Sequence, residues 1–307
     1  MPPGYNQGVR SFLGVDVGGT KVAAASVERG APGHAVEHPT PLESSEALLD
    51  GIVATVREVA AVAGQPRAVG VGVPSQVEWA TGTVVASVNI PLAGVPLREE
   101  LGRRLGVPVY VDNDAACAAL AEAEAIGARE LVMLTLGTGV GGGVITGGRI
   151  FRGAHGLGGE LGHVVVEADG PECPGACPNR GCLEALCSGT ALERDAGMKG
   201  REVVAAARAG DGGAQAHLDR LGRYLGIGIS NMVNAFQPEH VVIGGGLSAA
   251  ADLFLDTAVS EAGARALPAL WDRTRVQVAQ AGGAAGVVGA GLLALQEHSR
   301  DGDTART

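Results

Sequence analysis

Two glycine-rich turns, each set directly between short apolar runs, constrain the fold of this chain more than any other feature. The first is Asp16-Val17-Gly18-Gly19-Thr20-Lys21, with the apolar run Phe12 to Val17 ahead of it and Val22 to Val27 behind. Runs of this kind read as buried strands, and paired glycines between them make a hairpin turn. The second is Leu136-Gly137-Thr138-Gly139-Val140-Gly141-Gly142-Gly143, entered from the apolar run Leu131 to Leu136. Its strand continues over 142–146, turns at Gly147-Gly148 and returns over 149–151. Strand–helix alternation follows each hairpin, so the expected class is α/β with two related halves. No repeat at the level of sequence proves that relation.

The remaining elements follow from periodicity. Ser45 opens a helix with Leu48, Leu49, Ile52, Val53, Val56 and Val59 at helical spacing, stopped by Gly64 and Pro66. Strands are expected at 68–73 and 107–111, and a helix over 115–126. Leu218, Leu221, Leu225, Met232, Val233 and Phe236 predict a long helix ending before Pro238. A strand over 240–243 opens onto Gly244-Gly245-Gly246, and a helix from about 249, a strand over 276–279 and a helix over 284–297 complete the chain. Residues 1–10 and 299–307 read as frayed tails. The small and apolar run from Ala281 to Leu295 has two readings, a membrane helix or a buried one. It is shorter than the roughly 18 residues a span needs and is studded with glycine, which favours burial.

Glycines at a tight hairpin let backbone N–H groups approach an anion without side-chain collision. Around the first turn Thr20 adds a hydroxyl and Lys21 a cation, and Asp16 can hold Mg²⁺. A plain hairpin turn remains the alternative. The second turn formally contains G-x-G-x-x-G, from Gly137 to Gly142, but a dinucleotide site needs a helix to begin there. The hairpin pattern argues against that, and for phosphate carried on backbone amides. Gly244-Gly245-Gly246 could lie under a nucleotide or could cap a helix; both readings stay open. Three such loops together point to an ATP cleft between two domains.

A net charge of −10 gives no basis for a nucleic-acid partner, and the first ten residues lack the apolar core of an export signal. Five cysteines without such a signal argue against a disulfide framework and for the cytoplasm. His163, Cys173, Cys177 and Cys182 are spaced H-x₉-C-x₃-C-x₄-C. Thiolates plus imidazole in that number suit tetrahedral Zn²⁺, with three buried thiols as the alternative. Cys117 and Cys187 read as core residues. Val111-Asp112-Asn113-Asp114 ends a strand before a helix, where an aspartate can serve chemistry or cap the helix. Glu160 and His163, three apart, would share one face of a helical turn.

With these motifs in order from about Phe12 to Gly291, the chain resembles the ROK family of sugar kinases, within the actin-like ATPase superfamily. The resemblance implies a two-domain actin-like (ribonuclease H-like) fold with an interdomain cleft. A smaller α/β domain of residues 1–112 plus about 287–307 is expected beside a larger one of 113–286 carrying a zinc-binding loop. The implied activity is ATP-dependent phosphorylation of a hexose hydroxyl, with glucose to glucose 6-phosphate as the first expectation. Fructose, mannose and N-acetylhexosamines are the alternatives. By resemblance Asp114 is the general base, and Asn89, Asn113, Glu160, His163 and Glu184 join it in holding sugar. The phosphate side comprises Asp16, Gly18, Gly19, Thr20, Lys21, Gly137, Thr138, Gly139, Gly244, Gly245 and Gly246. The family also implies a structural zinc and a homodimer or higher homo-oligomer.

Three departures stand out. The family's C-x-C-G-x-x-G-C would place a cysteine at Gly175, and Cys173 comes two residues early. Its G-x-P-G-x-V-D loop has Ser75 and Glu78 here in place of Gly and Asp, and the aromatic residue usual after Asn89 is missing. The family also includes sugar-sensing regulators, which carry a DNA-binding domain ahead of the first hairpin. Here that hairpin begins within about twenty residues of the start, so the kinase reading is preferred.

Overall fold

The computed structural model describes residues 11–304. The chain begins with β1 (Phe12–Val17), β2 (Lys21–Glu28), β3 (Ala31–Pro39), α1 (Ser45–Ala63) and β4 (Val69–Val73). A small hairpin of β5 (Ser75–Glu78) and β6 (Thr83–Ser87) leads to α2 (Leu97–Leu105), β7 (Val109–Asn113) and α3 (Asp114–Ile126). Then come β8 (Leu131–Leu136), β9 (Val140–Thr146), β10 (Arg149–Ile150) and a 3-10 turn at Leu161–His163. Four helices follow: α4 (Leu183–Cys187), α5 (Gly189–Ala196), α6 (Gly200–Arg208) and α7 (Gly212–Phe236). The rest is β11 (His240–Gly244), a 3-10 stretch at Gly246–Leu253, α8 (Leu255–Arg265), α9 (Pro268–Trp271), β12 (Arg275–Val278) and α10 (Ala285–Thr304). Of the expected tails, 299–304 is instead the last part of α10; 1–10 and 305–307 lie outside the described residues.

The chain divides into two compact units of nearly equal length. Unit 1 is the chain up to Ala121, Arg152–Gly158 and the chain from Ala281; unit 2 is Glu122–Phe151 and Gly159–Gln280. The expected exit at 112/113 therefore moves to 121/122, inside α3. The reason is packing. Gly72 of β4 lies against the Cα of Asp114 and the Sγ of Cys117, both at 3.4 Å from where its Cβ would be, and Gly289 of α10 meets the Cys117 backbone. These contacts keep the first half of α3 in unit 1.

Both units carry the same sheet. Unit 1 is ordered β3-β2-β1-β4-β7 and unit 2 β10-β9-β8-β11-β12. In each, the first three strands are antiparallel and the last two run parallel to the central one. The glycine turns close the hairpins next to Val17↔Val22 and Leu136↔Val140.

In unit 1, α1 buries Leu48, Ile52, Val56 and Val59 with Leu13, Val15 and Val17 of the sheet. Each such side chain contributes roughly 1.5–3 kcal/mol. The Ser44 hydroxyl accepts the Ala47 amide at 3.1 Å to start α1, and Gly64 ends it at φ 86°. Within the apolar run 281–295, residues 287–294 are buried in α10, which begins at Ala285. Among the described residues no helix is long and apolar enough to cross a membrane. Glycines on both sides allow α10 its close approach: a Cβ on Gly14 of β1 or Gly70 of β4 would strike the α10 carbonyls of Val287 or Ala290, and one on Gly289 the Cys117 backbone. Unit 2 packs Leu218, Leu221, Leu225, Ile229 and Val233 of α7 with Val132, Leu134, Val241 and Ile243. Cys117 and Cys187 are fully buried, as expected of core thiols.

Candidate active site

In unit 1 the β1–β2 turn is held from both sides. The Gly18 amide donates to the Lys21 carbonyl at 2.8 Å, and the Thr40 hydroxyl donates to the Gly18 carbonyl at 2.7 Å. A Cβ on Gly19 would find only Asn89, at 3.9 Å, so the turn and Asn89 are neighbours. The Lys21 ammonium pairs with Glu37 at 2.7 Å, across the β2–β3 hairpin. That ion pair is exposed on both sides.

Asp16 lies one residue before the end of β1, and Asp114 follows β7 two strands away in the same sheet. Burial, then the negative charge of Asp114, pushes the Asp16 carboxyl up to about 6; Lys21 opposes the shift. The Asp16 carboxylate rests against Gly286 in the first turn of α10, where a Cβ would collide with it. The capping alternative for Asp114 is resolved by its neighbour. The Asn113 carboxamide oxygen accepts the Ala116 amide at 3.1 Å and so caps α3. Asp114 sits inside the first turn, one carboxylate oxygen accepting the Ala115 amide at 2.8 Å. The Asn113 amide group donates to the Ser75 carbonyl at 3.4 Å. Ser75 in turn donates to Ser87 at 2.9 Å, and Ser87 to the Ile90 carbonyl at 2.8 Å, one residue past Asn89. The serine that replaces the family's glycine thus fixes the loop that bears Asn89.

In unit 2 the β8–β9 turn is tight, the Gly137 amide donating to the Gly139 carbonyl at 2.9 Å. A Cβ on Gly137 would meet open space. The start of α5 braces the turn: the Gly189 amide donates to the Gly137 carbonyl at 2.7 Å and the Thr190 hydroxyl to the Thr138 carbonyl at 2.8 Å. Glu184, in the first turn of α4, reaches the same turn. One of its carboxylate oxygens accepts the Val140 amide at 2.8 Å, and a Cβ on Gly139 would collide with that carboxylate. The third loop joins this group. Gly245, at φ 79°, lies so close to the Leu136 backbone that no side chain fits, while Gly246 faces open space. Gly245 therefore has a packing reason of its own, whatever binds beside it.

Glu160 and His163 are joined by a 3-10 turn in which the His163 amide donates to the Glu160 carbonyl at 3.1 Å. In a 3-10 turn residues three apart eclipse, which keeps both on one side. His163 then meets the cysteines. One ligand atom each from His163, Cys173, Cys177 and Cys182 lies within 4.8 Å of the others. The imidazole Nδ1 is 3.3 Å from the Cys173 sulfur. The early position of Cys173 is absorbed by its loop: a β-bridge pairs Glu172 with Arg180, and the Cys173 amide donates to the Asn179 carbonyl at 3.0 Å. Gly175, at φ 74°, turns the extra residues. Burial pushes the Cys173 and Cys182 thiols up, so as free thiols they stay protonated; three sulfurs and one imidazole so placed are compatible with a structural zinc site.

Sequence reasoning passed over a buried ion network in unit 1. Arg152 donates from Nε to Asp112 at 2.7 Å and from Nη1 to Glu297 at 3.2 Å, with its guanidinium carbon 3.5 Å from the Trp79 ring centroid. Its partners lie 40 and 145 positions away, so no local pattern marks it.

Matching sheets of this order, each with a glycine hairpin on its central strand, define the actin-like ATPase fold shared with solved ROK sugar kinases. The chain belongs to the ROK family, whose sequence profile matches residues 12–297. It is 34% identical to a glucokinase of Halalkalibacterium halodurans, over 94% of this chain and 96% of that one. It is 35% identical to an N-acetyl-D-glucosamine kinase of Escherichia fergusonii, over 93% of this chain and all of that one. A solved ROK glucokinase of Streptomyces griseus, in complex with glucose and AMPPNP, superposes with a TM-score of 0.78 at 34% identity, covering 93% and 99% of the two chains.

Proposed function

We propose that this protein is an ATP-dependent hexose kinase that converts glucose to glucose 6-phosphate, with Asp114 as the general base. The observation that carries this is the placement of Asp114: inside the first turn of α3, its capping duty taken over by Asn113, and near enough to Asp16 that its charge helps push the Asp16 carboxyl up. Glucose phosphorylation is what the glucokinase relatives' names record.

Phosphoryl transfer is chiefly a matter of positioning and charge. Asn89, Asn113, Glu160, His163 and Glu184 are the proposed sugar ligands beside Asp114. Carboxylates and amides can fix both the donors and the acceptors of each hydroxyl. His163 serves two masters through its two ring nitrogens: Nδ1 faces the cysteines, which leaves Nε2 for a hydroxyl. Glu184 likewise has one oxygen on the Val140 amide and a second for sugar. The open turns at Gly19 and Gly137 offer backbone amides to the nucleotide phosphates. Asp114 accepts the proton of the attacking hydroxyl as the oxygen–phosphorus bond forms and the bond to ADP breaks. Asp16 is the carboxylate that would hold Mg²⁺, which neutralises phosphate charge when bound. His163, Cys173, Cys177 and Cys182 would hold Zn²⁺, whose contribution is to keep His163 and the loop before α4 rigid. The cytoplasm and a homo-oligomeric state complete the proposal.

The test is a panel of glucose, fructose, mannose, N-acetylglucosamine and N-acetylmannosamine, each with ATP and Mg²⁺. The highest kcat/KM on glucose is the expected result. Preference for an N-acetylhexosamine would move the protein to the side of its other relative, and no turnover on any sugar would end the kinase reading.

A further inference from the structure

We infer that Arg152 is a positioning residue for the phosphoryl-transfer reaction, acting on Asp114 through Asp112. The inference rests on Asp114 being the base. Arg152 is held by Asp112, Glu297 and Trp79.

The geometry runs in one direction. Arg152 Nε donates to Asp112 Oδ2 at 2.7 Å. The other oxygen of the same carboxylate, Oδ1, accepts the backbone amide of Asn113 at 2.9 Å. Asn113 is the cap of α3, and Asp114 is the next residue. Asp112 therefore holds the peptide that leads into the base, and Arg152 holds Asp112. Asp112 cannot do this alone. Its side chain is only 7% exposed, and burial pushes its carboxyl up even against the opposing charge of Arg152. Without that charge the carboxyl would take a proton or turn toward water, and either change loosens its grip on the Asn113 amide.

Arg152 is fixed on its remaining sides. Glu297 of α10, also 7% exposed, takes Nη1 and is itself paired with Arg300 at 3.1 Å. The Trp79 indole covers one face of the guanidinium. A planar fork that binds two carboxylates at an angle while lying on an aromatic ring is a task for arginine, which lysine cannot reproduce. Arg152 also begins the strap Arg152–Gly158, whose far end is tied back by the Gly158 amide to the Arg152 carbonyl at 3.0 Å.

The test is a double-mutant cycle between Arg152→Gln and Asp114→Asn in the full chain, with kcat and both KM values measured for glucose and ATP. A small misplacement of a reacting group costs rate more than binding. Arg152→Gln is expected to lower kcat about tenfold or more, with both KM values within about twofold; Arg152→Lys is expected to recover little. In the Asp114→Asn background the same change should cost less than about twofold, because the base it positions is gone. If Arg152→Gln fails to fold, Asp112→Asn replaces it in the same cycle with the same thresholds, since the carboxamide keeps the packing and an acceptor. A folded variant with unchanged kcat overturns the inference, and so does an equal loss in both backgrounds, the mark of a purely structural role. Normal turnover of Asp114→Asn alone would remove the base assignment and the inference together. A crippled Asp114→Asn beside an unaffected Arg152→Gln would remove the inference only.

Discussion

Asp114 and Asp16 are adjacent acids with different environments, and each makes its own prediction. Asp114→Asn should cut kcat by roughly 10² or more while leaving sugar and ATP binding largely intact, the scale of general-base loss. Steady-state kinetics with a thermal melt as folding control checks this; near-normal turnover would take Asp114 out of the mechanism. Asp16 is held at about 6 in the fold against an ordinary 3.8. Below about pH 4 both folded and unfolded forms are protonated and nothing is lost. Between pH 4 and 6 the unfolded carboxyl ionises first, so stability falls, by up to about 3 kcal/mol above pH 6. Asp16→Asn should therefore raise the melting temperature of the ligand-free protein at pH 7.5 and leave it unchanged near pH 4, while activity disappears. A variant no more stable at pH 7.5 than the parent would show that the acid is not under that strain. Gly137→Val is the matching probe of the second turn. A Cβ there has no protein atom within 4 Å, so a raised KM for ATP with an unchanged melt would report the phosphates themselves.

Sequence was most informative at this scale where the signal is local. Asp114, Glu160 and the glycine turns sit in contiguous motifs. The Lys21–Glu37 ion pair was not readable, because Glu37 arrives only when β3 folds back. Arg152 was invisible for the same physical reason: charge partners brought together by tertiary structure leave no spacing to read.

Among the elements, α1 and α7 were legible because a long helix with one buried face repeats its pattern often enough to be seen. The short helices α4 to α6 and the β5–β6 hairpin were not, since each offers too few periods and owes its form to its neighbours. The cysteine loop lies between these cases. Its ligands were readable from residue type, but the two-residue displacement of Cys173 needed the Glu172–Arg180 bridge to make sense. A chelator strong enough to strip zinc should lower both the melting temperature and activity, and elemental analysis of active protein should find about one zinc per chain. Active protein free of zinc would leave the cluster as three thiols and an imidazole. In unit 1, Gly70→Ala drives a methyl into the Ala290 carbonyl of α10. It should destabilise unit 1 by about 1–3 kcal/mol or more, read from denaturant midpoints. A neutral result would mean that α10 yields more readily than its close approach implies.

The whole molecule repeats one sheet plan twice, and the composition of its glycine turns announced that repetition before any strand was paired. The boundary between units was harder to read, because it falls inside α3 and no composition change marks it. One consequence concerns time. Unit 1 holds the first strands of the chain, yet the glycine-lined face of β1 and β4 is covered by α10, which follows all of unit 2. On the ribosome, then, the part made first is the part completed last. Unit 2 has every strand of its sheet once Val278 has emerged, while the N-terminal sheet waits with an uncovered surface until α10 is released. Nascent chains stalled at about residue 280 should yield a protease-resistant unit 2 and a degraded N-terminal segment, and chaperone capture during synthesis should concentrate on β1 and β4.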